Sequence, residues 1–318
     1  GIYRDKLEKI VDHHRKGDVD GAWSELKEQI AQLDGNPYVG RGVKAEYYYR
    51  MALWFLEDRN DVGKAQKKYE KALEMDPDLD ACIFHALKQT LTGECGDAEE
   101  LLEPVDTASK FHVYLQICIN ARKIQKAYEK YEELDQVIPM DDTTYYLLSV
   151  METLRYEYDS AMKYIENALE INERVPIYFL VKGIILYWKA IPSDVCVEGD
   201  FGPVLFHDGL LHLDEGQCQM LKEAGAAYHR AFQLADAIGN AELAENILSI
   251  WISSLSVDGR LQNDIMEPLH LLQEINKFNV TALFYMIQKK MELPEGVTTE
   301  SLERHLKKSQ NKLGYIIV

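Results

Sequence analysis

The sequence predicts an all-α fold: an α-solenoid of stacked helix-turn-helix pairs, running over residues 1–318 with one non-helical insertion at 191–217. Three observations predict it. Small, large and small residues at offsets 0, 4 and 7, closed by proline at 12, occur at Ala65, Tyr69, Ala72 and Pro77, and the same offsets hold Ala127, Tyr131, Leu134 and Pro139, with leucine in the second small place. A third copy, Ala161, Ile165 and Ala168, begins 34 residues after Ala127 and has Glu173 in the proline place. Finally, 47% of the residues are hydrophobic and 28% charged, a globular balance, and no run of eighteen apolar residues exists to cross a membrane as a helix.

The spacing has a physical reading. Offsets of 4 and 7 place side chains on one helix face. Small alanines admit a neighbouring helix at close range, and the larger residue fills the space between them. Proline ends the helix because it lacks an N–H and clashes with the preceding turn.

The elements follow in order. Residues 2–33 are read as a first helix pair with GDVDGA at its turn and Ala22 as the small residue, and 44–76 as the second pair. Residues 79–105 read as a shortened, degenerate pair turning at TGECGD. Residues 108–139 and 142–173 are the clearest pairs, and 176–189 is the first helix of another. Its partner helix carries Ala224, Tyr228 and Ala231, whereas the period places the first alanine at 195; 29 residues are therefore inserted inside one pair. Residues 240–255, 261–277, 280–292 and 298–313 read as further helices that keep apolar spacing but lose the repeat, as a terminal cap does. Roughly eight to nine pairs are expected.

This helix, with its alanine, aromatic, alanine and proline at a 34-residue period, resembles the second helix of the tetratricopeptide repeat. The family's first helix carries a large residue at position 4, Leu at 7 and a small residue at 8. Tyr145, Leu148 and Ser149 match; Phe179 and Gly183 match in the next repeat, where Lys182 replaces Leu; Phe111, Tyr114 and Leu115 lack the small residue. The resemblance implies a protein-binding scaffold whose first helices line a concave groove. It places Tyr47, Arg50 and Trp54, then His112, Gln116 and Asn120, then Tyr146 and Val150, then Leu180, Ile184, Tyr187 and Trp188, on that groove. Some family members hold a peptide's terminal carboxylate with converging Lys, Arg and Asn. This groove lacks that set, and its apolar and aromatic middle suits an amphipathic helix or an apolar extended segment.

The insertion offers short apolar runs on either side of HDG, a tight-turn sequence. Phe201, Leu205, Phe206, Leu210 and Leu211 are expected to fold over the groove beside Tyr187 and Trp188, or to touch a partner. The insertion and its edge also hold Cys196, His207, His212 and Cys218, all zinc-ligand types, with no tight cysteine pair among them. A metal site there is the alternative reading.

Charge and motifs exclude other classes. A net charge of −18 repels nucleic-acid backbones and anionic membranes and favours protein or peptide partners. Five cysteines without a CxxC pair point to a reducing, cytoplasmic setting rather than a disulfide framework. No phosphate-binding loop, dinucleotide fingerprint, HExxH or GxSxG occurs, so no enzyme activity and no cofactor are expected. The first residue is glycine, which leaves open that the chain is a sensor or regulatory module of a larger signalling or defence protein.

Overall fold

The computed structural model describes residues 1–93, 97–192, 211–298, 300–302 and 304. Among these residues all regular structure is helical, and the chain divides into two compact units, Gly1–Met140 and Asp141–Val318.

The first unit contains α1 (Ile2–Arg15), α2 (Val19–Asp34), α3 (Arg41–Glu57), α4 (Val62–Met75), α5 (Cys82–Thr92), α6 (Ala108–Asn120) and α7 (Ile124–Leu134). Side chains start these helices where the sequence turns: Asp18 accepts from the Gly21 amide, Asp61 from Lys64 and Thr107 from Lys110. Each satisfies an amide that the helix leaves unpaired. The α1–α2 turn passes through Gly17 at φ 103°, a conformation that favours glycine.

Ala22, Trp23, Leu26, Ile30 and Leu33 of α2 pack with Tyr47, Tyr48, Met51 and Trp54 of α3. Ala65 and Ala72 of the repeat pattern are fully buried, and the Tyr69 ring stacks on Phe84 with 4.4 Å between centroids. The exposed residues of α1 include the charged Asp5, Lys6, Glu8 and Lys9.

One expected element differs. The second helix of the 79–105 pair is only a short 3-10 helix, Ala98–Leu102. Six residues separate Asp97 from Pro104, too few to propagate an α-helix past its costly first turn before proline stops it. An ionic contact with α7 supplements apolar packing here. Lys123 and Lys126 hold Glu99 Oε1 at 2.9 and 2.7 Å, and Lys130 holds Glu103 Oε1 at 2.7 Å. Glu99 is fully buried. Burial pushes its carboxyl up, and the two ammonium groups more than offset that, leaving it below the ordinary glutamate value.

The second unit contains α8 (Asp142–Leu154), α9 (Tyr158–Ile171), α10 (Pro176–Ala190), α11 (Glu215–Ala237), α12 (Ala241–Leu255), α13 (Gln262–Ile275) and α14 (Val280–Gln288). Ala161, Ile165 and Ala168 of α9 are fully buried, as their offsets require. In α10 the small residue at position 8 is Gly183. A Cβ there would lie 2.3 Å from Cε1 of Tyr228 in α11, so the ring occupies the space a side chain would need. Tyr228 is fully buried, and its hydroxyl shares a 2.8 Å hydrogen bond with Ser254 Oγ of α12. Gly225 likewise lets the Trp251 indole of α12 approach α11.

The end of the insertion also differs from expectation. Residues Glu215–Gln217 already belong to α11, which opens with a reciprocal cap: Asp214 accepts from the Gln217 amide, and Gln217 accepts from the Asp214 amide. Just before the cap, the Leu211 amide donates to the Val257 carbonyl at 2.6 Å, and Arg260 donates to the Leu213 carbonyl. Arg260 also grips Asp258 at 2.7 Å, and the Cys218 thiol donates to the same carboxylate at 3.5 Å.

The Arg260 guanidinium holds the Asp258 carboxyl down at about 2. A depressed folded value contributes stability above the ordinary aspartate value of about 3.9, and that contribution is lost as pH falls toward the folded one. Arg260→Met is therefore expected to raise the Asp258 titration seen by NMR and to speed amide exchange at Leu211. Unchanged exchange there would show that Arg260 does not pin the segment.

Most of the helix expected at 298–313 lies outside the described residues. Leu302 is buried and packs with Leu283 and Val297.

Candidate functional site

The residues expected on the groove separate into two groups by depth. In the first unit Tyr47 and Trp54 are buried. The Tyr47 hydroxyl donates to the Tyr3 carbonyl, and burial raises this phenol to about 12. Trp54 stacks on the His14 imidazole at 4.1 Å with 9° between planes. His14 Nε2 lies 2.6 Å from Asp58 Oδ2, which also accepts from Trp23 Nε1 at 2.7 Å. These aromatics tie α1, α2 and α3 together.

Arg50 keeps part of its surface. So do His112 and Gln116 of α6, and Asn120 is exposed. These three α6 residues recur at every fourth position and stand along one helix face. They bring hydrogen-bonding amides and an imidazole to the surface in a row.

In the second unit Val150, Leu180, Ile184, Tyr187 and Trp188 are buried. Tyr187 meets Trp188 edge-on at 4.9 Å. Tyr146 is half-buried with its ring tilted over Tyr178 at 5.4 Å, and burial raises its phenol. Helical spacing had assigned all of these to one face, but the longest side chains of that face turn into the stack. The surface that remains accessible is more polar than the sequence pattern implies.

Of the insertion contacts, Leu211 is half-buried and anchored at Val257, as described above. Phe201, Leu205, Phe206 and Leu210 lie outside the described residues. The same holds for Cys196 and His207 of the metal alternative. His212 is exposed, and Cys218 is engaged with Asp258. Among the described residues no three His, Cys, Asp or Glu side chains converge to hold a metal ion.

Burial pushes the Cys118 thiol up to about 12, and burial together with Asp258 raises Cys218. Burial therefore favours the thiol over the thiolate that attack requires at both sulfurs. No described helix is long and apolar enough to cross a membrane.

Sequence reasoning missed two constellations. The Asp258–Arg260 anchor sits in the turn after α12, where no periodic pattern points to it. Glu99 with Lys123 and Lys126 was legible only as complementary charge runs, AEELLE and KIQKAYEK, on two neighbouring elements.

No family model matches the chain. It is 27% identical over 201 residues to the TPR repeat-containing protein MJ1428 of Methanocaldococcus jannaschii. That alignment covers 58% of this chain and 35% of the relative, so the chain spans about a third of the length of the protein it matches. The likeness supports a tetratricopeptide-like helical repeat.

Proposed function

We propose that this chain is a non-catalytic scaffold that holds an extended peptide segment of a partner protein against the accessible face of its first helices. The observation that carries this reading is the row His112, Gln116 and Asn120 on α6, left at the surface while neighbouring aromatics are withdrawn. Four residues of α-helix rise about 6 Å. Two residues of an extended chain advance about 6.6–6.8 Å. Side chains at every fourth helical position therefore stay nearly in step with alternate residues of a peptide laid along the helix. Amides donate and accept at once, so Gln116 and Asn120 are suited to a peptide main chain.

Such binding is tolerant of partner sequence along the backbone and takes its specificity from flanking groups. With a net charge of −18, the scaffold favours a partner segment flanked by basic residues. The similarity to a repeat protein is consistent with this role, and the partner's identity is a matter for experiment.

Gln116→Ala with Asn120→Ala is expected to weaken a purified partner at least tenfold by calorimetry, with unchanged far-UV circular dichroism. The partner would first be obtained by capture on the immobilised chain and then purified. Equal affinity for the double variant would sink the α6 reading, because both side chains can be truncated without touching the core.

A further inference from the structure

The second unit also carries a cleft far from the described first-helix faces in sequence. It is an open groove of about 410 Å³ between α13, α14 and the segment that follows α14. That volume lies in the small-molecule range of about 300–1,000 Å³. Leu269 and Met286 form a buried apolar floor, with Met291 and Leu293 beside them. Methionine side chains adapt to irregular apolar shapes, so such a floor accepts a flexible aliphatic body.

The rim is rich in donors. Gln273 and Lys277 face the cleft, and the Gln273 amide nitrogen donates to the Met286 sulfur at 2.9 Å. A thioether is a weak acceptor, and an oxygen arriving in the cleft would be a better one. Lys277 Nζ approaches the Glu295 backbone carbonyl at 3.4 Å, and among the described residues no carboxylate lies in salt-bridge range of it. Lys277 is exposed, and its ammonium also lies 5.2 Å from the Phe278 ring centroid, which places a positive charge at the edge of the apolar floor. A ligand carboxylate would form a charge-assisted bond there.

We infer that this cleft binds a medium-chain carboxylic acid, with the aliphatic body on Leu269, Met286 and Met291 and the carboxylate between Gln273 and Lys277. Each end of the ligand then meets the chemistry it needs. The apolar tail leaves water, and the head replaces a sulfur acceptor and meets the Lys277 ammonium.

The test is calorimetric titration of the full chain with sodium octanoate, with 1-octanol and sodium acetate as the tail and head alone. Saturable octanoate binding is expected, with the two fragments at least tenfold weaker. Lys277→Met, a change at an exposed side chain, should weaken octanoate at least tenfold and leave 1-octanol unchanged. Met291→Trp should fill the floor and abolish octanoate binding, with circular dichroism as the check on folding. Absence of saturable binding overturns the inference. So does equal binding of octanoate and 1-octanol, or octanoate binding that ignores both substitutions.

Discussion

Gly183→Ala is expected to destabilise the second unit by about 2 kcal/mol in urea denaturation. Overpacking a filled site costs about 1–3 kcal/mol and occasionally more, and alanine returns up to about 1 kcal/mol through its better helix propensity. The cost should fall near the top of that range because the new methyl meets three atoms of one ring, at 2.3, 2.6 and 2.9 Å. The ring has little freedom to retreat: Tyr228 is fully buried and tethered to Ser254.

The effect must therefore depend on that ring. In a Tyr228→Leu background the added methyl should cost less than half as much, and the double-mutant cycle should show a coupling above about 0.5 kcal/mol. Additive losses would mean that the clash lies elsewhere.

Lys123→Met with Lys126→Met is expected to cost the first unit about 1–3 kcal/mol, because it strands the buried Glu99 carboxylate. Adding Glu99→Leu to both changes should recover most of the loss, since apolar replacement of a whole buried ion cluster is often neutral. The pH dependence distinguishes this from simple loss of packing. In the native chain the Glu99 carboxyl is held below its ordinary value, so its contribution is present above about pH 4.3 and disappears as pH falls through the folded value. Without the lysines, burial alone raises the carboxyl, and stability should then grow as pH is lowered toward protonation. As pH falls from 7 to 4, the native contribution of Glu99 should stay nearly level while the variant recovers stability, so the gap between the two denaturation midpoints should narrow. Parallel slopes would remove the ion cluster from the explanation.

The helix pairs were legible because alanines at offsets 0 and 7 state where helices approach, and that requirement survives in three dimensions at Ala65, Ala72, Ala161 and Ala168. The same rule anticipated Gly183 as the small residue but not the ring that fills its place. The short 3-10 segment was misread as half of a helix pair because AEELL has helical composition; the constraint lay in Pro104, which limits length rather than propensity.

The start of α11 was also readable. Asp214 and Gln217 stand in the capping spacing, Asp214 ten residues ahead of the alanine pattern that begins at Ala224. The binding face was least legible. Spacing assigns a side to a residue such as Tyr187 or Trp54 but says nothing of how deep its side chain lies, which depends on neighbours distant in sequence.

The buried thiols carry an experimental consequence. Cys118 lies in the first unit and Cys218 in the second, each buried in the folded state. With the remaining cysteines, Cys82, Cys95 and Cys196, replaced by serine, each unit would hold a single sulfur that reacts only while its surroundings are open. The rate at which a thiol reagent consumes each one then acts as a separate clock for the breathing of its unit, and the ratio of the two rates states which half of the chain yields first.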